Sequence, residues 1–294
     1  MKRKGVWILV AIAGAGLLCF LLLIWSSRQG TAMPVLMYHH FVEEGPVGAD
    51  TVVSAQRFEE QMRTLQESGY TAITAEDLIH YVDGVGTLPE KPIMITMDDG
   101  YTSNLEIAAP ILERYGMKAT VFVIGINVGK TEYPHSGQRL DPPRFSWEQA
   151  RPWVEKGVIC IQSHTYDMHQ RADYGFSGRD GMLSLESESE LDYRAALKAD
   201  LDLSRDGLEQ GLGIEMKALA FPFGLYTPEA VEVLEQEGVR ISFVTQFGCS
   251  RAVPGRKNST QCMERWGVND AITGERLLQG LEQLKQRSSS LKWG

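Results

Sequence analysis

Eight apolar runs of four to six residues, each separated from the next by a longer stretch, leave this chain few folds to choose from. They are Val35–Tyr38, Tyr70–Ile73, Ile93–Met97, Ala119–Ile124, Val158–Gln162, Ala218–Phe221, Ile241–Thr245 and Glu264–Val268. Most do not alternate with polar residues, the pattern of strands buried on both faces. Between them lie segments with helical spacing and caps. Ser54 precedes Phe58, Met62 and Leu65, and Gly69 ends that segment. Thr74 heads a second segment with Leu78 and Val82 on one face. Ser146 heads a third, with Gln149 at the capping-box position. Thr227-Pro228 opens a fourth that stops at Gly238. Strands alternating with helices predict a parallel sheet. A series of roughly 250 residues suits one α/β barrel.

The stretch from Arg171 to Gly213 is more polar, with Glu186, Glu188, Glu190, Asp192 and Asp200. Leu191, Leu197, Leu201 and Leu208 mark it as an amphipathic helix on the outside of the barrel rather than an acidic tail. At the other end, Lys2, Arg3 and Lys4 precede an uncharged, mostly apolar run from Gly5 to Trp25. That length spans a hydrocarbon core of about 30 Å. Residues 1–4 then read as a cytoplasmic basic tail, 5–26 as a transmembrane signal-anchor, 27–33 as a linker and 34–294 as one domain outside the membrane. Cleavage, giving a secreted protein, is the alternative. The net charge of −9 speaks against a nucleic-acid partner. Cys249 and Cys262 either form a disulfide or remain thiols, Cys160 reads as core, and no CxxC pair offers a thiolate metal site.

The unusual residues cluster at strand ends. Asp98-Asp99-Gly100 follows Ile93–Met97. Two adjacent carboxylates repel each other and make sense beside a cation. His164 and His169 follow Val158–Gln162; two imidazoles with a carboxylate can hold a divalent transition metal. Tyr38-His39-His40, Phe221-Pro222-Phe223-Gly224 and Arg265-Trp266 also sit at strand ends, where α/β barrels build active sites. His80 and His135 receive no role.

The runs Ile95-Thr96-Met97-Asp98-Asp99-Gly100-Tyr101 and Lys118–Val123 resemble the first motif of the polysaccharide deacetylases, the family-four carbohydrate esterases. Ser163-His164-Thr165-Tyr166-Asp167-Met168-His169 resembles the second motif and Phe221-Pro222-Phe223-Gly224 the third. The resemblance covers roughly residues 33–281 and implies a distorted (β/α) barrel of seven strands. The five-residue spacing of the two histidines, with the early Tyr38-His39, is similar to the branch acting on poly-N-acetylglucosamine. The family's late Leu-x-His has no counterpart, since no histidine follows His169. The arginine that usually precedes the Pro-aromatic pair is also missing, its place taken by Ala220.

By this resemblance Asp99, His164 and His169 would ligate a divalent metal, zinc first, with cobalt, nickel or iron as alternates. Asp98 would be the general base and His39 the general acid. The Phe223 backbone N–H would face the oxyanion, and Arg265 would orient the base. The implied activity is removal of N-acetyl groups from N-acetylglucosamine units of poly-N-acetylglucosamine or peptidoglycan. The rivals are an inactive wall-binding domain and a two-histidine, one-carboxylate iron oxygenase; the helical alternation opposes the latter. Tyr38, Trp266 and Tyr226 could stack on sugars, although core packing is the default for each. Oligomeric state is not legible.

Overall fold

The computed structural model describes residues 30–45, 48–173 and 175–290. Its strands are β1 (Thr31–Ala32), β2 (Val35–Tyr38), β3 (His40–Val42), β4 (Val52–Ser54), β5 (Thr71–Ala72), β6 (Pro92–Asp98), β7 (Ala119–Val123), β8 (Ile159–Ser163), β9 (Ala218–Ala220), β10 (Ile241–Phe243), β11 (Arg251–Ala252) and β12 (Trp266–Gly267). The helices are α1 (Ala55–Glu67), α2 (Ala75–Val82), α3 (Ala109–Arg114), α4 (Trp147–Glu155), α5 (Glu190–Leu212), α6 (Pro228–Gln236) and α7 (Gly274–Ser290). A π-helical turn, Asn104–Ala108, leads into α3.

All eight expected strands are present, and they share one sheet. Seven run in the order β10-β9-β8-β7-β6-β2-β12, and short β5 pairs with β6 beside that path. Every pairing is parallel, with Leu36 beside Ile95 and Thr120 beside Cys160, for example. All seven residues of β6 and all five of β7 are buried, because helices cover one face and the barrel interior the other. The ends of the path meet through backbone bonds from Val244 N to Met263 O (3.0 Å), Met263 N to Ser242 O (2.8 Å) and Arg265 N to Gln246 O (3.0 Å). The sheet thus curls into a distorted barrel that brings the β12 end across from β6. β1 and β11, and β3 and β4, form two small separate ribbons.

The caps form where the sequence places them. Ser54 accepts from Arg57 N, and Thr74 and Ser146 complete capping boxes with Asp77 and Gln149. Thr227 accepts from Ala230 N ahead of Pro228. Helix α5 departs from its expected pattern. Leu197, Leu201 and Leu208 are buried, but Leu191 is 78% exposed and Tyr193 begins the inward stripe. Asp200, expected on the wet face, is buried. It lies in the inward stripe with Leu197, Leu201 and Ser204, and two backbone amides offset the burial of its carboxylate.

Among the described residues no helix is long and apolar enough to cross a membrane. The anchor expected at residues 5–26 lies outside the described residues. Cys160, Cys249 and Cys262 are free thiols, so the disulfide alternative is not realised. Tyr38 is core: it packs against Phe41 and Phe58, and its hydroxyl donates to Gln61 Oε1 at 3.0 Å.

Candidate active site

Three loops leave the same rim of the barrel through strained backbone. Among the described residues four that are not glycine have positive φ; Asp99 (71°), Thr165 (69°) and Phe223 (57°) are three of them. They follow β6, β8 and β9, adjacent to the motifs singled out from sequence. Left-handed backbone at residues with a Cβ costs on the order of 1–3 kcal/mol each and persists where surrounding structure imposes it. Gly100 (φ 68°) completes the sharp exit from β6, where a Cβ would lie 3.0 Å from Val123 Cγ1.

These turns bring Asp99, His164 and His169 together. Their ligand atoms all lie within 4.8 Å of one another. Asp99 Oδ1 is 3.3 Å from His169 Nε2 and 3.6 Å from His164 Nε2. His164 Nδ1–H donates to Ala220 O at 2.7 Å, which leaves the Nε2 lone pair facing the carboxylate. Burial pushes the His169 imidazole down to about 4, so near neutral pH it is an unprotonated donor. Burial would raise Asp99, but the neighbouring His169, His39, His164 and Arg144 hold it well below the usual carboxylate range.

A divalent metal fits this donor set. Asp99 Oδ1 is buried and has no hydrogen-bond partner, an orphan of the kind a cation satisfies. Two imidazole nitrogens and one carboxylate oxygen are the open three-ligand set of catalytic zinc sites. The set does not discriminate zinc from cobalt, nickel or iron.

Asp98 lies beside this centre, with Oδ2 3.9 Å from His164 Nε2. Arg265, with no exposed surface, grips it with two bonds: Nη1 donates to Oδ1 and Nη2 to Oδ2, both at 2.7 Å. Arg265 Nε also donates to Val244 O at 3.0 Å. Burial would raise the Asp98 carboxyl; Arg265 and then His164 outweigh that and hold it below its ordinary value. Ala220, which stands where the family arginine would, contributes its carbonyl to His164 instead. His39 lies in the β2–β3 connection, its carbonyl accepting from Asn104 Nδ2 at 2.7 Å. It is near enough to lower both aspartates. The Phe223 ring covers His169, with centroids 4.4 Å apart. Tyr226 stacks on Phe221 and Trp266 is met edge-on by Phe247; neither lines the cleft described next.

The structure adds two residues that the sequence reading left aside. Asp200, from α5, accepts from Tyr166 N and Asp167 N, both at 2.8 Å, inside the loop between the two histidines. A single acidic residue in a helix of many gave no signal of this. His135, assigned no role above, meets Asp167 Oδ2 through Nε2 at 2.6 Å. It borders a cleft of about 520 Å³ whose inner end is Asp99 and His169.

Comparison with known proteins bears on the family and the fold. The family model described as polysaccharide deacetylase matches residues 85–242. YxkH of Bacillus subtilis is 26% identical over 262 residues, 89% of this chain and 80% of that protein. A poly-beta-1,6-N-acetyl-D-glucosamine N-deacetylase of Staphylococcus aureus is 26% identical over 193 residues, 65% of this chain and 60% of that protein. Among solved structures, a de-N-acetylase from Aggregatibacter actinomycetemcomitans superposes with a TM-score of 0.72 at 23% identity. That match covers 85% of this chain and all of the other, and it supports the fold.

Proposed function

The chain belongs to the polysaccharide deacetylase family of hydrolases, and we propose that it removes N-acetyl groups from N-acetylglucosamine units of a cell-envelope or extracellular polysaccharide. Poly-β-1,6-N-acetylglucosamine is the first candidate substrate, because the staphylococcal relative is named for that polymer. Peptidoglycan is the second. One observation carries the reading: a buried carboxylate held by a bidentate arginine lies next to an orphaned carboxylate oxygen between two imidazoles.

Asp99, His164 and His169 would hold the metal. When bound, a divalent cation, zinc first, supplies Lewis-acid polarisation and positive charge at the reacting acetyl group. Asp98, kept ionised and oriented by Arg265, takes the proton from the attacking water. The water oxygen adds to the acetyl carbon, and the Phe223 N–H donates to the oxygen that gains charge. His39 then gives a proton to the departing nitrogen as the carbon–nitrogen bond breaks, leaving acetate and a free amine. The apolar run at residues 5–26 would anchor this domain on the outer side of the cell membrane.

The test is acetate release by the zinc-loaded full-length protein from β-1,6- and β-1,4-linked N-acetylglucosamine oligomers. Asp98→Asn is expected to lower kcat by about 10²–10⁴, the usual worth of a positioned base. Acetate release at the wild-type rate by Asp98→Asn would refute the mechanism. Oligomer binding by the wild type without acetate release would favour the non-catalytic alternative. His164→Ala should lose bound zinc by elemental analysis, and full retention would contradict the ligand assignment.

A further inference from the structure

The segment that carries Asp98 and Asp99 does not pass straight into a regular helix. Residues 104–108 form one turn of π-helix, closed by Ala109 N donating to Asn104 O, before α3 takes over at Ala109. Pro110 follows, with no N–H to give to the carbonyl four residues back, so the regular ladder is interrupted there. Single π turns of this kind frequently stand at functional sites. Here the two residues at its start, Ser103 and Asn104, are buried, and both reach across to the β2–β3 connection that holds His39.

Between them they grip three consecutive residues. Asn104 Nδ2 donates to His39 O at 2.7 Å. Ser103 Oγ accepts from Phe41 N at 3.1 Å and lies 2.9 Å from His40 Nδ1. A hydroxyl has one proton and two lone pairs, so it serves both partners at once. Core packing alone does not explain the Asn104 amide. The residue has no exposed surface, and its Oδ1 has no hydrogen-bond partner. A buried amide left half satisfied lowers stability, and an apolar side chain would suit the core better. What the amide supplies and an apolar residue cannot is the bond to the carbonyl of His39. Residues 98–104 thus contain the candidate base, one candidate metal ligand and both side chains that hold the backbone around the candidate acid.

We propose that Ser103 and Asn104 are positioning residues for His39, fixing its carbonyl and the backbone just after it so that the imidazole stands at the departing nitrogen. The proposal rests on the deacetylase reading above, with His39 as the acid. It ties acid and base to one short stretch of chain, although they come from different strands. Its chemical consequence is selective. An amide nitrogen leaves poorly without a proton, whereas 4-nitrophenolate leaves as the anion. Misplacing the acid therefore slows cleavage of an amide and spares an aryl ester.

The experiment compares two substrates on the zinc-loaded full-length protein. One is whichever of the β-1,6- and β-1,4-linked N-acetylglucosamine oligomers it cleaves faster, and the other is 4-nitrophenyl acetate. Asn104→Ala and Ser103→Ala should each lower kcat on the oligomer by about 10–100-fold, the effect of displacing a reacting group by roughly 1 Å, while oligomer KM changes less than about twofold and ester turnover less than about threefold. Ser103→Ala, which removes one hydroxyl, carries the test if Asn104→Ala does not fold. Zinc content by elemental analysis should stay at the wild-type level in both. In a His39→Ala background, Ser103→Ala should slow the oligomer no further, because the group it places is gone. Equal falls on oligomer and ester, loss of zinc in step with activity, or a full further loss in the His39→Ala background would each overturn the proposal and leave the deacetylase reading standing. A wild type that releases no acetate from either oligomer overturns that reading and this proposal with it.

Discussion

Arg265 and Asp98 form a buried ion pair whose two parallel bonds leave the carboxylate a single orientation. Replacing one member strands the other charge, which typically costs about 3–5 kcal/mol. Arg265→Gln is therefore expected to lose that much stability at pH 7.5 in urea unfolding of the metal-free protein. The sign of the pH dependence follows from the depressed Asp98. In the wild type its contribution is present above the ordinary carboxylate range and is lost as pH falls through the lower folded value. Without Arg265, burial raises the carboxyl, so protonation relieves the stranded charge and the deficit should narrow by pH 4.5. A deficit constant with pH would contradict the pairing. His169 takes up its proton at lower pH than a surface histidine. Burial keeps it unprotonated down to about 4, so metal binding should persist through pH 6 and fail only on approach to that value. Chelator competition across pH 4–8 measures this, and a midpoint at the ordinary histidine value near 6.5 would refute it.

Helix α5 links the outer layer of the barrel to the loop carrying the candidate ligands His164 and His169 through one side chain. Asp200 accepts two backbone N–H groups between His164 and His169, where Thr165 is held at positive φ. Outer partners of this kind typically change metal affinity by about 10–100-fold. Asp200→Asn, which retains one acceptor oxygen but turns an amide group toward the second N–H, should weaken zinc binding by that order. Leu201→Ala, on the same helix and fully buried, removes core packing but neither of the two hydrogen bonds to the loop, and serves as the control. If both variants shift zinc affinity equally, the effect is general destabilisation and not positioning.

For the whole molecule, the closure of β10 onto the segment before β12 is what carries Arg265 to Asp98, 167 residues earlier in sequence. Attachment is a question for residues 1–29, which lie outside the described residues. If the apolar run is an uncleaved anchor, the full-length protein should resist alkaline extraction from membranes, and deletion of residues 1–29 should release it. Release into the supernatant of a form shortened by the apolar segment would favour cleavage.

The strands, most caps and the three ligand candidates were legible because each depends on short-range rules. Continuous apolar runs mark doubly covered strands, Ser or Thr before a helix marks its start, and chemistry-bearing residues gather at strand ends. Residue partnerships across the barrel followed no such rule. Asp200 looks in sequence like any solvated helix acid, and His135 like a loop histidine, until the chain closes and sets one behind the metal loop and the other across the cleft from it. Arg265 could be suspected from a missing family arginine, but its two-bond grip on Asp98 exists only because the curled sheet joins its ends. Local patterns thus determined which elements form and which side chains reach the rim. Only the tertiary structure decided which of those side chains share a proton, an ion or a charge, since such contacts depend on distances the sequence does not carry.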